Sequence, residues 1–183
     1  MHTNSNQAPA GHPQRRPMDA ETLDFLRQVF NVVREGDSER LGGLIDNGMP
    51  VNFRNEKGDS LIMLASYLGH LETSRLLLEA GADANVPNDQ GQAPLAGVAY
   101  KGYLEIAELL LKHGASVEGA SPDGKTPLMM AAMFNRLAIF ELLLRHGARI
   151  DAVDSRGMTA VSLAKSMNAQ ETLARLVSLG QTA

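Results

Sequence analysis

The sequence predicts an all-α protein: an α-solenoid in which a helix–turn–helix unit and an extended turn recur about five times. Three observations predict it. Gly58, Gly91, Gly124 and Gly157 stand 33 residues apart, and Gly48, Gly81, Gly114, Gly147 and Gly180 keep the same spacing. The runs Leu76-Leu77-Leu78, Leu109-Leu110-Leu111 and Leu142-Leu143-Leu144 recur in phase with both series. The apolar content of 44% is mostly Leu, Ala, Met and Val, with 4% aromatics and no tryptophan, which favours helix over sheet. A unit this small cannot bury its own apolar face, so it must stack on its neighbours, and the stack makes an elongated binding surface.

Taken in order, residues 1–20 hold no apolar run and carry Arg15-Arg16 among Asn, Gln, Pro and Gly. They read as a disordered tail without the apolar centre of about 7–15 residues that a secretory signal needs. Repeat units are expected at 21–53, 54–86, 87–119, 120–152 and 153–183. The first is degenerate: Gly36 lies 33 residues before Gly69 and Gly48 matches Gly81, but Phe25 stands where the frame asks for a turn glycine.

Each later unit opens with a polar turn, Asn55 to Gly58, Asn88 to Gly91, Ser121 to Gly124 and Asp154 to Gly157. A tight turn usually needs positive φ at one position, which glycine accepts without strain. Ser60, Thr126 and Thr159 follow as helix N-caps, with Ala93 a weaker substitute, and Pro94 and Pro127 suit the first helical turn. The first helix of each unit is rich in small residues and stops at Gly69, Gly102, Asn135 or Asn168, the two residue types that best tolerate a left-handed cap. The second carries the leucine run and closes on Gly81, Gly114 or Gly147. In the last unit Lys165, Gln170, Arg175 and Ser178 make the outer face polar, as a terminal capping repeat requires.

Gly124-Lys-Thr-Pro-Leu-Met-Met-Ala-Ala132 followed by Leu142-Leu-Leu-Arg-His-Gly-Ala148 resembles the ankyrin repeat signature. So does Gly69-His-Leu-Glu with the segment from Leu76 to Asn85, and the resemblance covers about residues 22–181. The stretches Ser60 to Tyr67 and Pro94 to Gly102 are also similar to small stand-alone bacterial ankyrin proteins. One departure stands out. The family's usual His after Thr-Pro-Leu is replaced by Met63, Ala96, Met129 and Ser162, so its turn-bridging hydrogen bonds are expected to be missing and the array to be less stable than a consensus one.

The net charge of −4 gives no electrostatic reason to expect nucleic acid or an anionic membrane as partner. No stretch approaches the about 18 apolar residues of a membrane span. The absence of cysteine rules out disulfides, thiolate metal sites and a cysteine nucleophile. A cytoplasmic monomer is expected, and specialised export into another cell stays open. No catalytic set or phosphate-binding loop emerges from the repeat, and every glycine is assigned to a turn or cap. His113 and His146 share one slot in adjacent units, before helix-stop glycines, where a metal role is not expected. No enzyme activity, cofactor or metal is therefore anticipated.

What remains is the set of positions that the periodic frame leaves free. In the ankyrin family the turn tips and the exposed ends of the first helices face a concave side and touch partners. The resemblance implies a partner-binding surface here of Tyr67, Leu68, Tyr100, Lys101, Met133, Phe134 and Met167, with Lys57, Asp59, Gln90, Gln92 and Lys125 from the tips. Aromatic and Met residues are enriched at interface cores. Two readings of the row are open at this point: a binding stripe, or side chains that pack on one another along the stack as core. The expected function is protein–protein interaction, as inhibitor, immunity protein or scaffold. The alternative is a stress-linked accessory protein holding a small molecule, against which a shallow, open groove is expected.

Overall fold

The computed structural model describes residues 19–182, and among these it contains ten helices and no strand. The tail expected at 1–20 lies outside the described residues except for its last two. Those two belong to a helix: Asp19 caps it and Ala20 begins it.

The helices are α1 (Ala20–Glu35), α2 (Ser38–Asp46), α3 (Leu61–Leu68), α4 (Leu71–Glu79), α5 (Pro94–Lys101), α6 (Leu104–Lys112), α7 (Pro127–Met133), α8 (Leu137–Arg145), α9 (Ala160–Ser166) and α10 (Gln170–Ser178). They pack as successive antiparallel pairs, α1 with α2 through α9 with α10. The odd-numbered helices form an inner row and the even-numbered ones an outer row. Neighbours in the inner row pack more closely than neighbours in the outer row, which curves the stack toward the inner side. Small side chains permit that approach: Ala65, Ala99, Ala131, Ala132 and Ala164 are fully buried. Lys165, one period after Ala132, is exposed, with no further helix over it among the described residues.

The local signals act where the sequence places them. The Ser60 hydroxyl accepts from the Met63 N–H and Thr126 from Met129, both at 3.2 Å, while Ala93 makes no side-chain cap and relies on Pro94 behind it. Thr159 and Ser162 form a reciprocal capping box. In this unit a serine therefore recovers a bond at the position where the family's histidine is missing. Asn135 and Asn168 both adopt φ 55°. The first unit differs from the inner ones more than its lost glycine suggested. Its opening helix runs for 16 residues straight through Phe25, so helix stands where a turn would be.

The core is a set of columns at the repeat period. Leu77, Leu110, Leu143 and Leu176 form one in the outer row, each fully buried. Ile62, Leu95, Leu128 and Val161 form another in the inner row. Each such side chain contributes about 1.5–3 kcal/mol on burial. Polar ladders tie the units together. Asn52 accepts from the Asp83 N–H at 3.0 Å and donates to the Gly81 carbonyl at 3.2 Å, and Asn85 repeats both bonds with Ser116 and Gly114. One period on, Glu118 accepts from the Arg149 N–H at 2.7 Å.

Candidate functional site

The C-terminal ends of α3, α5 and α7 bring the row together. The Tyr67 and Tyr100 rings lie nearly parallel with centroids 6.5 Å apart, and Tyr100 meets Phe134 edge-on at 4.5 Å. Lys101 at the end of α5 holds its ammonium 4.6 Å from the Tyr67 ring centre and 5.9 Å from that of Tyr100. The side chains pack on one another and still reach the surface: Tyr67 is 40% exposed, while Tyr100, Met133 and Phe134 are half-buried. The two readings of the row are not exclusive at these positions.

Between these helix ends and the turn tips lies a groove of about 800 Å³. Gly97 occupies the slot that holds Leu64, Met130 and Leu163 in the other units, and it lies within α5 without positive φ. A Cβ there would sit 3.1 Å from Tyr67 Cδ2, so the tyrosine ring leans into the space that the missing side chain leaves. One expectation needs correction: Gly97, inside α5, is neither a turn nor a cap. Gly42 and Gly43, inside α2, likewise fall outside the turn-and-cap assignment.

The turn tips form the polar rim, and most of their charge is answered within the chain. Asp59 accepts from Asn55 and Asn88 side chains, both at 3.0 Å. Asp123 accepts from the Lys125 ammonium and the Ser121 hydroxyl, and these hold its carboxyl well below the usual range, at about 2. Lys125 also lies 3.9 Å from Asp154 Oδ2 in the next unit. The buried Asp154 is held below the usual carboxylate range first by the Met158 N–H, then by that of Arg156, with Lys125 adding its charge. Arg54 pairs with Asp89 at 3.3 Å and donates to the Pro87 carbonyl at 2.9 Å. Lys101 has no carboxylate partner among the described residues.

The tips are also linked by backbone bonds, with one break. Asp89 N–H donates to the Lys57 carbonyl at 3.1 Å, and two units later Ser155 N–H donates to that of Asp123 at 2.9 Å. The equivalent donor between these tips would be residue 122, which is proline and has no N–H. The Gln90 carbonyl thus lacks the partner its counterparts have. Ring packing stands in for the bond: a Cβ on Gly91, at φ 73°, would fall 2.4 Å from Pro122 Cγ.

Of the residues singled out in sequence, Tyr67, Tyr100, Met133, Phe134, Asp59, Gln90, Gln92 and Lys125 line the groove. Lys101 flanks it through Tyr67. Leu68 and Met167, 42% and 49% exposed, and Lys57 at the first tip lie outside its wall. Sequence reasoning missed Gly97, Met130 and Pro122. The repeat frame held the signal for all three, since each departs from its equivalents or sits beside one that does. His113 and His146 are C-caps of α6 and α8, their N–H groups donating to Leu109 and Leu142 carbonyls at 3.1 Å. Among the described residues no His, Asp or Glu group converges in a way that could hold a metal ion, and no helix is long and apolar enough to cross a membrane.

Comparison with known proteins agrees with this architecture. A family model described as ankyrin repeats in three copies matches residues 29–121 and again 117–182. A relative named as an ankyrin repeat protein, from Pseudomonas aeruginosa, is 55% identical over 62 residues, or 34% of this chain. The match spans 36% of that relative's length.

Proposed function

This chain belongs to the ankyrin repeat family, and we propose that it is a non-catalytic interaction protein whose concave groove binds a partner protein. Ankyrin repeats are in general protein–protein interaction modules, and proteins built from them are in general non-catalytic. The observation that carries the proposal is the aromatic row of Tyr67, Tyr100 and Phe134, with Met133, lining the groove beside Gly97. Aromatic anchors beside a pocket, ringed by polar groups whose hydrogen bonds are already made, are the usual make-up of an interface hot spot. Covering a partner's own site would make the chain an inhibitor. Holding the partner without blocking it would make the chain a scaffold.

Filling the groove at Gly97 is a cleaner test than removing the aromatics, because Tyr100 and Phe134 support each other at 4.5 Å and their loss would also cost stability. Leucine suits the helical backbone at Gly97, where it gains about 0.8 kcal/mol in helix propensity, and its side chain pushes the Tyr67 ring from its place over the glycine. Gly97→Leu should lower partner capture at least about tenfold, a loss of about 1.4 kcal/mol, with little change in melting temperature. Glu108→Ala, exposed on outer helix α6, should leave capture unchanged. Equal capture by the Gly97→Leu and unaltered proteins would count against the groove.

The groove's volume also favours a second reading, a small molecule, since ligand pockets measure about 300–1,000 Å³. A metabolite that raises the melting temperature of the unaltered protein but not of Gly97→Leu would support it.

A further inference from the structure

Building on the protein-binding reading of the groove, we infer that its occupant is an extended segment of the partner that carries an apolar and an acidic side chain two positions apart. Three observations at α5 lead there, each bearing on a different part of the segment.

Beside Gly97 the groove is lined by Ala96, Met130 and Tyr100, with the Tyr67 ring leaning over the glycine, and this largely apolar lining suits an apolar side chain. At the end of the same helix, Lys101 is a half-buried cation lying on aromatic faces, with no carboxylate opposite it among the described residues. The other charges around the groove are answered inside the chain: Asp59 by two asparagines, Asp123 by Lys125 and Ser121, Arg54 by Asp89. A partner that covered Lys101 without an anion would strip water from an unpaired charge, whereas a carboxylate there would complement it. At the other end of α5, the Gln90 carbonyl lacks the N–H donor that the neighbouring tips receive, because Pro122 cannot supply one. An extended chain has a backbone N–H to give.

The spacing makes the inference specific. Gly97 and Lys101 are one helical turn apart, an axial rise of about 6 Å. Side chains two positions apart on one face of an extended strand are separated by about 6.6 Å. A segment running alongside α5 from the Gln90 tip would thus place one side chain in the groove beside Gly97 and the next on the same face against Lys101. The intervening side chain points away and is left unspecified.

The test is selection of a random nonapeptide display library against the full chain, followed by fluorescence-polarisation titration of the enriched peptides. Enrichment of peptides with an aliphatic or aromatic residue two positions from Asp or Glu is expected. Lys101→Glu should weaken these peptides about tenfold or more, and replacing the peptide's acid with lysine should restore binding to that variant. The inference is overturned if no peptide is enriched, if the enriched ones show no acidic preference, or if Lys101→Glu changes affinity less than twofold. Peptides that lose binding on Gly97→Leu but ignore Lys101→Glu overturn only the acidic contact and leave the groove in place. Selected peptides indifferent to Gly97→Leu contradict the groove reading itself.

Discussion

Asn135 carries two structural tasks that the sequence shows only in part. Its φ of 55° stops the inner helix, which its residue type announces. Its side-chain oxygen also accepts from the N–H groups of Glu171 and Thr172, at 3.0 and 3.1 Å, and so caps α10, whose own N-cap is Ala169. The second task was illegible because cap and helix lie 36 residues apart, whereas Ser60 and Thr126 cap helices that follow them directly. Asn135→Ala should cost about 1 kcal/mol for the left-handed backbone and about 1 kcal/mol for the cap. Asn135→Gly should lose only the cap and fall between. A urea midpoint for Asn135→Gly equal to that of the unaltered protein would show that the cross-unit cap contributes nothing. Asp123 yields a pH prediction. Its carboxyl is depressed to about 2 in the folded chain, so it stabilises the fold above the ordinary carboxylate pKa and loses that contribution as pH falls from about 4 toward 2. The group is about half exposed, so screening keeps the effect to the about 1 kcal/mol or less of a surface pair. Between pH 6 and pH 3 the unaltered protein should lose more stability than Asp123→Asn. Identical losses would refute the linkage.

At the scale of elements, the repeat frame located the inner helices well because caps, prolines and small residues all point to the same boundaries. It served less well for α1, where the missing turn glycine let the helix continue through Phe25. It also concealed the groove. Gly97 was grouped with the turn glycines although it has no positive φ, and only its comparison with Leu64, Met130 and Leu163 exposes it as a deleted side chain. Pro122 is a second deletion, of an N–H. Pro122→Ala returns a donor to the line of tips, and the amide at position 122 should then exchange as slowly as those of Asp89 and Ser155. Exchange at the rate of an unbonded turn amide would mean that the two middle tips are held apart by more than the missing donor.

For the whole molecule, stacking makes stability a sum of units and their interfaces, with the end units least supported. Val177, 59% exposed on α10, and the exposed Lys165 on α9 lie in the last described unit. The architecture was legible because the period repeats one solution to burying leucine columns such as Leu77, Leu110, Leu143 and Leu176. The candidate site was legible only as a row, because its residues depart from the period, and a departure has no in-phase copies to support it. The central claim is that the inner face at α3, α5 and α7 receives the partner. Hydroxyl-radical footprinting of the full chain, with and without a captured partner, tests it most directly. The account predicts that Tyr67, Tyr100, Met130 and Met133 lose reactivity on partner binding, while Val177 on the outer helix α10 keeps its own. Protection at Val177 and Leu179 with the tyrosines unchanged would contradict it.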